Sequence, residues 1–332
     1  MRKSKKAPDG LFLINKKMTN KLKIHLLVNE TAGNGHAKKI LDQTTLLLVN
    51  ENIAFDVYKS SFAGEAIKIA QGYGNRNHHS NEVLLVIGGD GSLNEVLNGI
   101  KRSSHPSTPL AYLPAGTGND FGKAANLSGN PEELINHLKN GVAPERIDCG
   151  SFHFPRSSND VYYFANSLGV GFDAYVNHLS NISELKKLLN KINEGKMIYG
   201  LHILSALRKQ DTFAVDIKCD NKRYHYDNAF LITTTNHPYL GGGIPLFPSA
   251  SIKSRVLDTV VVERFSLGKL IKLFINLLKD GSHVHDPQFH YFEGKQISIQ
   301  TTKKEFAQVD GEQIKPDSFK IDFKLSHFYL LR

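Results

Sequence analysis

The chain has 332 residues, 40% hydrophobic and 22% charged, a composition that fits a folded protein with room for two domains and excludes general disorder. The formal charge of +9 invites a nucleic-acid reading, yet residues 1–17 alone contribute +5, from Arg2, Lys3, Lys5, Lys6, Lys16 and Lys17 against Asp9. The rest carries only +4, too little for the clustered basic face of a nucleic-acid binder, so no nucleic-acid partner is expected. The segment "GLFLIN" is too short for a secretory signal, and no apolar run approaches the length of a bilayer span. The chain therefore reads as cytoplasmic, with any membrane contact peripheral and transient. Cys149 and Cys219 are far apart and form no CxxC pair, so both read as ordinary thiols.

Residues 1–20 read as a basic, unstructured extension. From "KLKIHLLVN" onward strand and helix signals alternate: "KIHLLVN", a helix in "AKKILDQTTLLLVNEN", "AFDVYKS", a helix in "AGEAIKIAQGY", "EVLLVIG", a helix in "EVLNGI", then "LAYLPAG". This pattern predicts an α/β domain over 21–147 with a mostly parallel sheet, and 322–332 is a candidate strand to complete it. Over 148–321 the texture changes to short β-branched and aromatic runs: "VYYFANSLGVG", "FAVDIKC", "NAFLITTTN", "LDTVVVERF" and "QISIQTT". These predict a second, strand-rich domain, interrupted by helices near 184–207 and 267–278. The fold class is α/β plus β.

The stretch "LLVIGGDGSLNEVLNGI" (84–100) is a strand that breaks at a glycine turn and restarts as a helix. Leu93, Val96, Leu97 and Ile100 share one helix face, and Ser92 with Glu95 has the spacing of a capping box. A helix N-terminus favours phosphate, and Gly88, Gly89 and Gly91 remove the Cβ atoms that would hold it off the backbone. Asp90 does not fit phosphate binding alone. It fits if a cation or a hydroxyl lies between, as a Mg²⁺ ligand through water or as a base; a turn aspartate capping its own backbone is the plain alternative. "LAYLPAGTGNDFGKAANL" repeats the design with Gly116, Thr117, Asn119 and Asp120, and "VNETAGNGHAKK" adds Asn29, Thr31 and Gly33 after the first strand. Neither GxxxxGK[ST] nor GxGxxG is present, and each turn alone is a weak signal. Three on successive strands point to a nucleotide-phosphate site.

In order and spacing, GGDGSLNEVLNG, PAGTGNDFGKA and VNETAGNG resemble the diacylglycerol kinase catalytic-domain superfamily, especially the soluble bacterial lipid kinases, with sphingosine kinases as relatives. The likeness continues through "RIDCGSF", "FANSLGVGFDA", "GGGIPLFPSA" and "VDGE". It implies a phosphofructokinase-like N-terminal α/β nucleotide-binding domain, a C-terminal β-sandwich domain that takes the lipid, and transfer of the ATP γ-phosphate to a lipid hydroxyl at the membrane surface, with ATP and Mg²⁺ as cofactors. Diacylglycerol, giving phosphatidic acid, is the first expectation; phosphatidylglycerol, a sphingoid base and an undecaprenyl-type alcohol remain alternatives. By the same resemblance Asp90, Asp120 and Glu312 are catalytic, Glu312 being brought to the cleft from the second domain, and Asp148 belongs to a supporting network. Asp90 reads as the base or the group that orients the hydroxyl, and Mg²⁺ would be held through water by Asp90 and Asp120, or by Asp120 and Glu312. A homodimer is a further expectation of the resemblance alone.

The sequence departs from the family at three places. Glu30 follows Asn29 where a proline is common, and Ser92 replaces a usual threonine. Where relatives carry a lysine after GGG and then Asp-Asp-Gly, this chain has Pro245 and Lys253-Ser254-Arg255, which puts the structural metal site of those relatives in doubt.

Leu267, Leu270, Ile271, Phe274, Leu277 and Leu278 form an apolar helical stripe, which more often faces a core than a membrane. The basic tail is the better candidate for attraction to anionic lipid. His78-His79 and His283/His285 lack further ligands at zinc spacing and read as surface or loop residues. Two other functions stay open: a kinase of a soluble substrate such as NAD, since NAD kinases share GGDG, and a nucleotide-binding regulator without catalysis.

Overall fold

The computed structural model describes residues 22–78, 81–155, 160–175, 210–264 and 266–332; the basic extension, His79 and the helix read at 184–207 lie outside the described residues. The chain divides into two compact units. One is formed by residues up to Ile147 with His327–Arg332, and the other by Asp148–Ser326.

In the first unit, β1 (Lys23–Val28), β2 (Ala54–Lys59), β3 (Glu82–Gly88) and β4 (Leu110–Pro114) run parallel in the order β2-β1-β3-β4. The end of β15 (Lys320–Leu331) extends this sheet in parallel, with Leu330 opposite Leu110 and Leu331 opposite Ala111. Val83 to Gly88 of β3 are buried without a break, the signature of a parallel strand covered on both faces. The covering helices are α1 (His36–Asn50), α2 (Glu65–Gly74), α3 (Asp90–Lys101), the single turn α4 (Asp120–Ala124) and α5 (Pro131–Lys139). On α1, Ala37, Ile40, Leu41, Thr44 and Leu48 recur at helical spacing and are buried. Helix α5 was not among the expected elements, although its start carries a local signal: Pro131 opens the helix, and Asn130 Oδ1 accepts the Glu132 N–H at 2.9 Å. The strand order matters most for function. After β1 the chain moves outward to β2, then crosses back to β3, and such a reversal opens a crevice at the carboxyl ends of β1 and β3.

The second unit is antiparallel. β5 (Glu145–His153) leads in and pairs with β6 (Tyr162–Phe164); β7 (Ser167–Gly171), β8 (Phe213–Cys219), β9 (Lys222–Thr235), β12 (Gln296–Thr301), β13 (Glu305–Val309) and β14 (Glu312–Asp317) follow the order β14-β13-β7-β9-β8-β12-β15. β10 (Leu257–Glu263) joins β9 to β11 (Phe289–Gly294). In β8, Phe213, Val215, Ile217 and Cys219 are the buried positions of a period-two pattern; they pack with Leu168, Val170, Ile232, Ile299 and Phe323. The β13–β14 turn is tied down by Asp310, whose carboxylate accepts the N–H groups of Ala165, Asn166 and Ser167 at 2.8, 2.9 and 2.8 Å. The expected helix at 267–278 is α6 (Leu267–Lys279), started by Ser266 Oγ on the Lys269 N–H and tethered by Lys269 to Asp286 at 2.9 Å. Leu277 on it is buried and Ile275 is exposed.

Both cysteines are free and buried. His283 departs from its surface reading: it is buried, holds the Leu246 carbonyl at 3.0 Å and meets the Phe289 ring edge-on. A histidine that packs as an aromatic and satisfies one carbonyl belongs to the core.

Candidate active site

Three turns meet at the carboxyl edge of the first unit's sheet: 29–35 after β1, 89–92 after β3 and 115–119 after β4. Their contacts explain their glycines. A Cβ on Gly116 would stand 2.5 Å from the Gly89 Cα, and one on Gly33 would stand 2.3 Å from the Ala115 carbonyl oxygen. Gly33 also has φ +60°, where a side chain is strained. Backbone bonds lock the same edge, from Ala115 N–H to the Gly88 carbonyl at 2.7 Å and from Asn29 N–H to the Ile87 carbonyl at 3.3 Å. Main chain thus meets main chain with no side chain between, the surface a polyphosphate needs.

Each turn is closed by its own polar residue. Asn29 Oδ1 accepts the Thr31 N–H at 3.2 Å and the Thr31 hydroxyl at 2.8 Å. Asn119, in the left-handed region at φ 53°, accepts the Gly116 N–H at 2.8 Å and returns its amide to the Gly116 carbonyl at 2.9 Å. Thr117, between them, is exposed. Tyr112, a residue with no distinctive sequence signal, donates its buried hydroxyl to the Gly88 carbonyl at 3.1 Å. Burial, and then the neighbouring Asp90 charge, push its phenol well above the usual tyrosine value, so it remains a donor.

Asp90 reaches across to the neighbouring turn. Its Oδ2 accepts the Asp120 N–H and its Oδ1 the Phe121 N–H, both at 3.2 Å, so the carboxylate from one glycine turn holds the start of α4 in the next. Asp120 is buried beside Lys123, at 3.5 Å from its ammonium.

The capping box read at Ser92 and Glu95 is not formed. Helix α3 starts at Asp90 with Gly89 as its cap, and Ser92 lies inside it with its hydroxyl over Gly88. Glu95 instead reaches α2, accepting the N–H groups of Gly64 at 2.7 Å and Ala66 at 3.2 Å. Spacing within one helix was right for a cap, but a helix packed alongside offered the better donors. The first-turn N–H groups of α3 precede its first internal bond, Leu93 N–H to the Gly89 carbonyl at 3.1 Å, and lie at the glycine edge.

Two metals are implied by the motifs. For the nucleotide's Mg²⁺ the donors fit, since Asp90 and Asp120 offer hard oxygens from adjacent turns and Mg²⁺ takes its other ligands from phosphate and water. Among the described residues no three His, Cys, Asp or Glu converge into an all-protein cage. For the structural metal of the relatives the residues do not fit. Arg255, at φ +63°, donates its backbone N–H and its guanidinium to the two oxygens of Asp148, each at 2.8 Å, so a cation of the chain itself already sits on that fully buried carboxylate. Glu312 opens β14 in the second unit and is exposed.

Comparison with known proteins agrees in both units. Residues 23–152 match the family described as diacylglycerol kinase catalytic domain, and 166–323 match the YegS C-terminal NAD kinase beta sandwich-like domain. A diacylglycerol kinase of Bacillus subtilis (strain 168) is 27% identical over 86% of this chain and 88% of its own; one from Staphylococcus saprophyticus is 28% identical over 86% and 88%. A crystal structure of a diacylglycerol kinase from Bacillus anthracis superposes with TM-score 0.64 over 94% of this chain and 97% of that one, at 23% identity, and yeast NADH kinase with 0.51 over 94% and 84%, at 12%, likenesses of fold. With both matches in place, and with the glycine turns that the sequence pattern marks brought together at one sheet edge, residues 23–152 form a diacylglycerol kinase catalytic domain and residues 166–323 a YegS C-terminal NAD kinase beta sandwich-like domain.

Proposed function

We propose that this protein is an ATP-dependent lipid kinase that transfers the γ-phosphoryl group to a lipid hydroxyl, with diacylglycerol the leading acceptor. The observation that carries the proposal is the Asp90 carboxylate held on the Asp120 and Phe121 N–H groups where three glycine turns converge. Phosphoryl transfer asks mainly for position and charge neutralisation, and this edge supplies both. The glycine backbone and the first turn of α3 bind the phosphates. Asp90 orients the acceptor hydroxyl and takes its proton, and Asp120 faces the metal side. Bound Mg²⁺ would neutralise the phosphate oxygens and polarise the transferred group. Among the described residues no helix is long and apolar enough to cross a membrane, so lipid is met from the membrane surface in this reading.

The test is incubation of the purified protein with labelled ATP, Mg²⁺ and detergent-solubilised lipids, with Asp90→Asn alongside and NAD as a soluble acceptor. Label in diacylglycerol that disappears in the variant supports the proposal. Label in NAD, or none in any acceptor while ATP still binds, would overturn it in favour of a soluble-substrate kinase or a nucleotide-binding regulator.

A further inference from the structure

The start of α4 is fixed by Asp90; its other end is held by a residue far away in sequence. Arg332 donates its NH1 to the carbonyl of Ala125, the residue that closes α4, and its Nε to Glu145 Oε2 at 2.6 Å. A guanidinium is a planar fork, so one side chain reaches two acceptors in a set geometry. Glu145, on β5, thus aims the arginine that grips α4. The same final strand supports the turn in two further ways. The ring of Phe328 packs on that of Phe121 with centroids 5.7 Å apart, and Leu331 lies in register with Ala111 on β4, the strand that leads into the Asp120 turn.

We infer that Arg332 is a positioning residue for Asp120: by holding the Ala125 carbonyl it fixes α4 at the end opposite Asp90, so the acidic side chain keeps its place at the glycine edge. The inference rests on the kinase reading above for its catalytic consequence, but not for the local clamp. Only four residues separate Asp120 from Ala125, so a loosened end shifts the whole turn. The backbone of Gly88 to Gly91, though joined to the start of α4 through Asp90, has further anchors of its own in the bonds from Ala115 and Tyr112 to the Gly88 carbonyl. Loss of Arg332 is therefore expected in the turnover step and not in ATP affinity.

The experiment uses the full chain and Arg332→Met, which keeps the aliphatic stem and removes the fork. Amide hydrogen exchange is compared over 119–126, together with kcat and KM for ATP. The expected result is exchange at least tenfold faster in 119–126 with α3 unchanged, kcat down about tenfold and KM within twofold. Arg332→Lys, whose single ammonium reaches one acceptor at a time, should recover part of both losses. Unchanged exchange in 119–126, or faster exchange with normal kcat, would overturn the assignment, as would a loss confined to KM. Should Arg332→Met not fold, Glu145→Gln removes the charge that aims the arginine and should move the same readouts in the same direction. If the wild-type protein transfers phosphate to no acceptor, the kinase reading fails, while the exchange measurement still decides whether Arg332 holds α4.

Discussion

The carboxylate of Asp90 accepts the backbone N–H of Asp120 at 3.2 Å, so one glycine turn of the sheet edge is bolted to the next through an acidic side chain as well as through close backbone packing. In the proposed mechanism the same group has two tasks, holding α4 and orienting the acceptor hydroxyl. Asp90→Asn separates them badly, because the amide nitrogen would face one of the two N–H donors that the carboxylate now accepts. It should lose turnover by at least about 100-fold, the range of a lost general base. It should also lose about 1–3 kcal/mol of stability from a charged hydrogen-bond acceptor. A melting curve and a kcat measurement on the same preparation check the two parts. A variant that turns over normally would leave Asp90 a purely structural bolt.

The converging glycines predict a graded response. A Cβ on Gly116 would meet the Gly89 Cα at 2.5 Å, whereas one on Gly89 would meet the Gly116 Cα at 3.2 Å. Gly116→Ala must push main chain from main chain, and Gly89→Ala needs only a few tenths of an ångström. We expect Gly116→Ala to cost about 1–3 kcal/mol, the usual range for overpacking, and to weaken ATP binding; Gly89→Ala should cost less on both counts. Thermal melting and nucleotide titration of the pair test the order, and equal effects would contradict the close approach.

Gly33 and Gly116 were readable because close backbone approach there leaves no room for a Cβ, and that constraint is written into the sequence one position at a time. The strand and helix alternation of the first unit was also readable, since β3 is an unbroken apolar run and burial repeats with the helical period along α1. What could not be read is what side chains find across space. Glu95 stands three residues after Ser92, as a capping box requires, yet it bonds Gly64 and Ala66 on another helix. The Lys253-Ser254-Arg255 departure was visible as a loss of carboxylates. Its compensation was not, because Arg255 finds Asp148 at a separation of 107 residues. His283 looked like a loop histidine, because nothing local announces that Leu246 and Phe289 enclose it.

The Arg255–Asp148 pair predicts how the second unit answers metal removal. Asp148 is fully buried and Arg255 is the cation against it, so EDTA should leave the melting temperature of the nucleotide-free protein unchanged. Arg255→Met removes the partner of a buried carboxylate. Breaking such a pair costs about 3–5 kcal/mol when fully buried, and about 1–3 kcal/mol is expected here because the Arg255 side chain is 45% exposed. Arg255→Gly should cost less than Arg255→Met, since glycine relieves the backbone at φ +63°. A melting temperature that falls with EDTA, or rises with Mg²⁺ alone, would mean that a divalent ion and not the guanidinium neutralises Asp148.

Two groups of the second unit are shifted in opposite senses across the mildly acidic range. His237 is fully buried, hydrogen-bonded to Asn166 Oδ1 at 2.8 Å, and burial pushes its imidazole down to about 3. In the unfolded chain the ring gains a proton near pH 6.5 while the folded one stays neutral, so its contribution is present above pH 6.5 and falls away as pH drops from there toward 3. Asp173 is half-buried with its Oδ1 shut from solvent, and desolvation pushes it up to about 6, with Gln308 holding its Oδ2 at 3.1 Å. Its folded pKa lies above the unfolded value of 3.8, so its contribution is present below pH 3.8 and is lost as pH rises toward 6. Between about pH 4 and 6 the two slopes oppose each other, each worth up to about 1.4 kcal/mol per pH unit. Asp173→Asn removes only the second. The variant should therefore lose stability more steeply than wild type as pH falls from 6 to 4, and denaturant midpoints across that range check it. Parallel pH profiles for the two proteins would show that Asp173 does not change protonation on folding, and the balance against His237 would have to be abandoned.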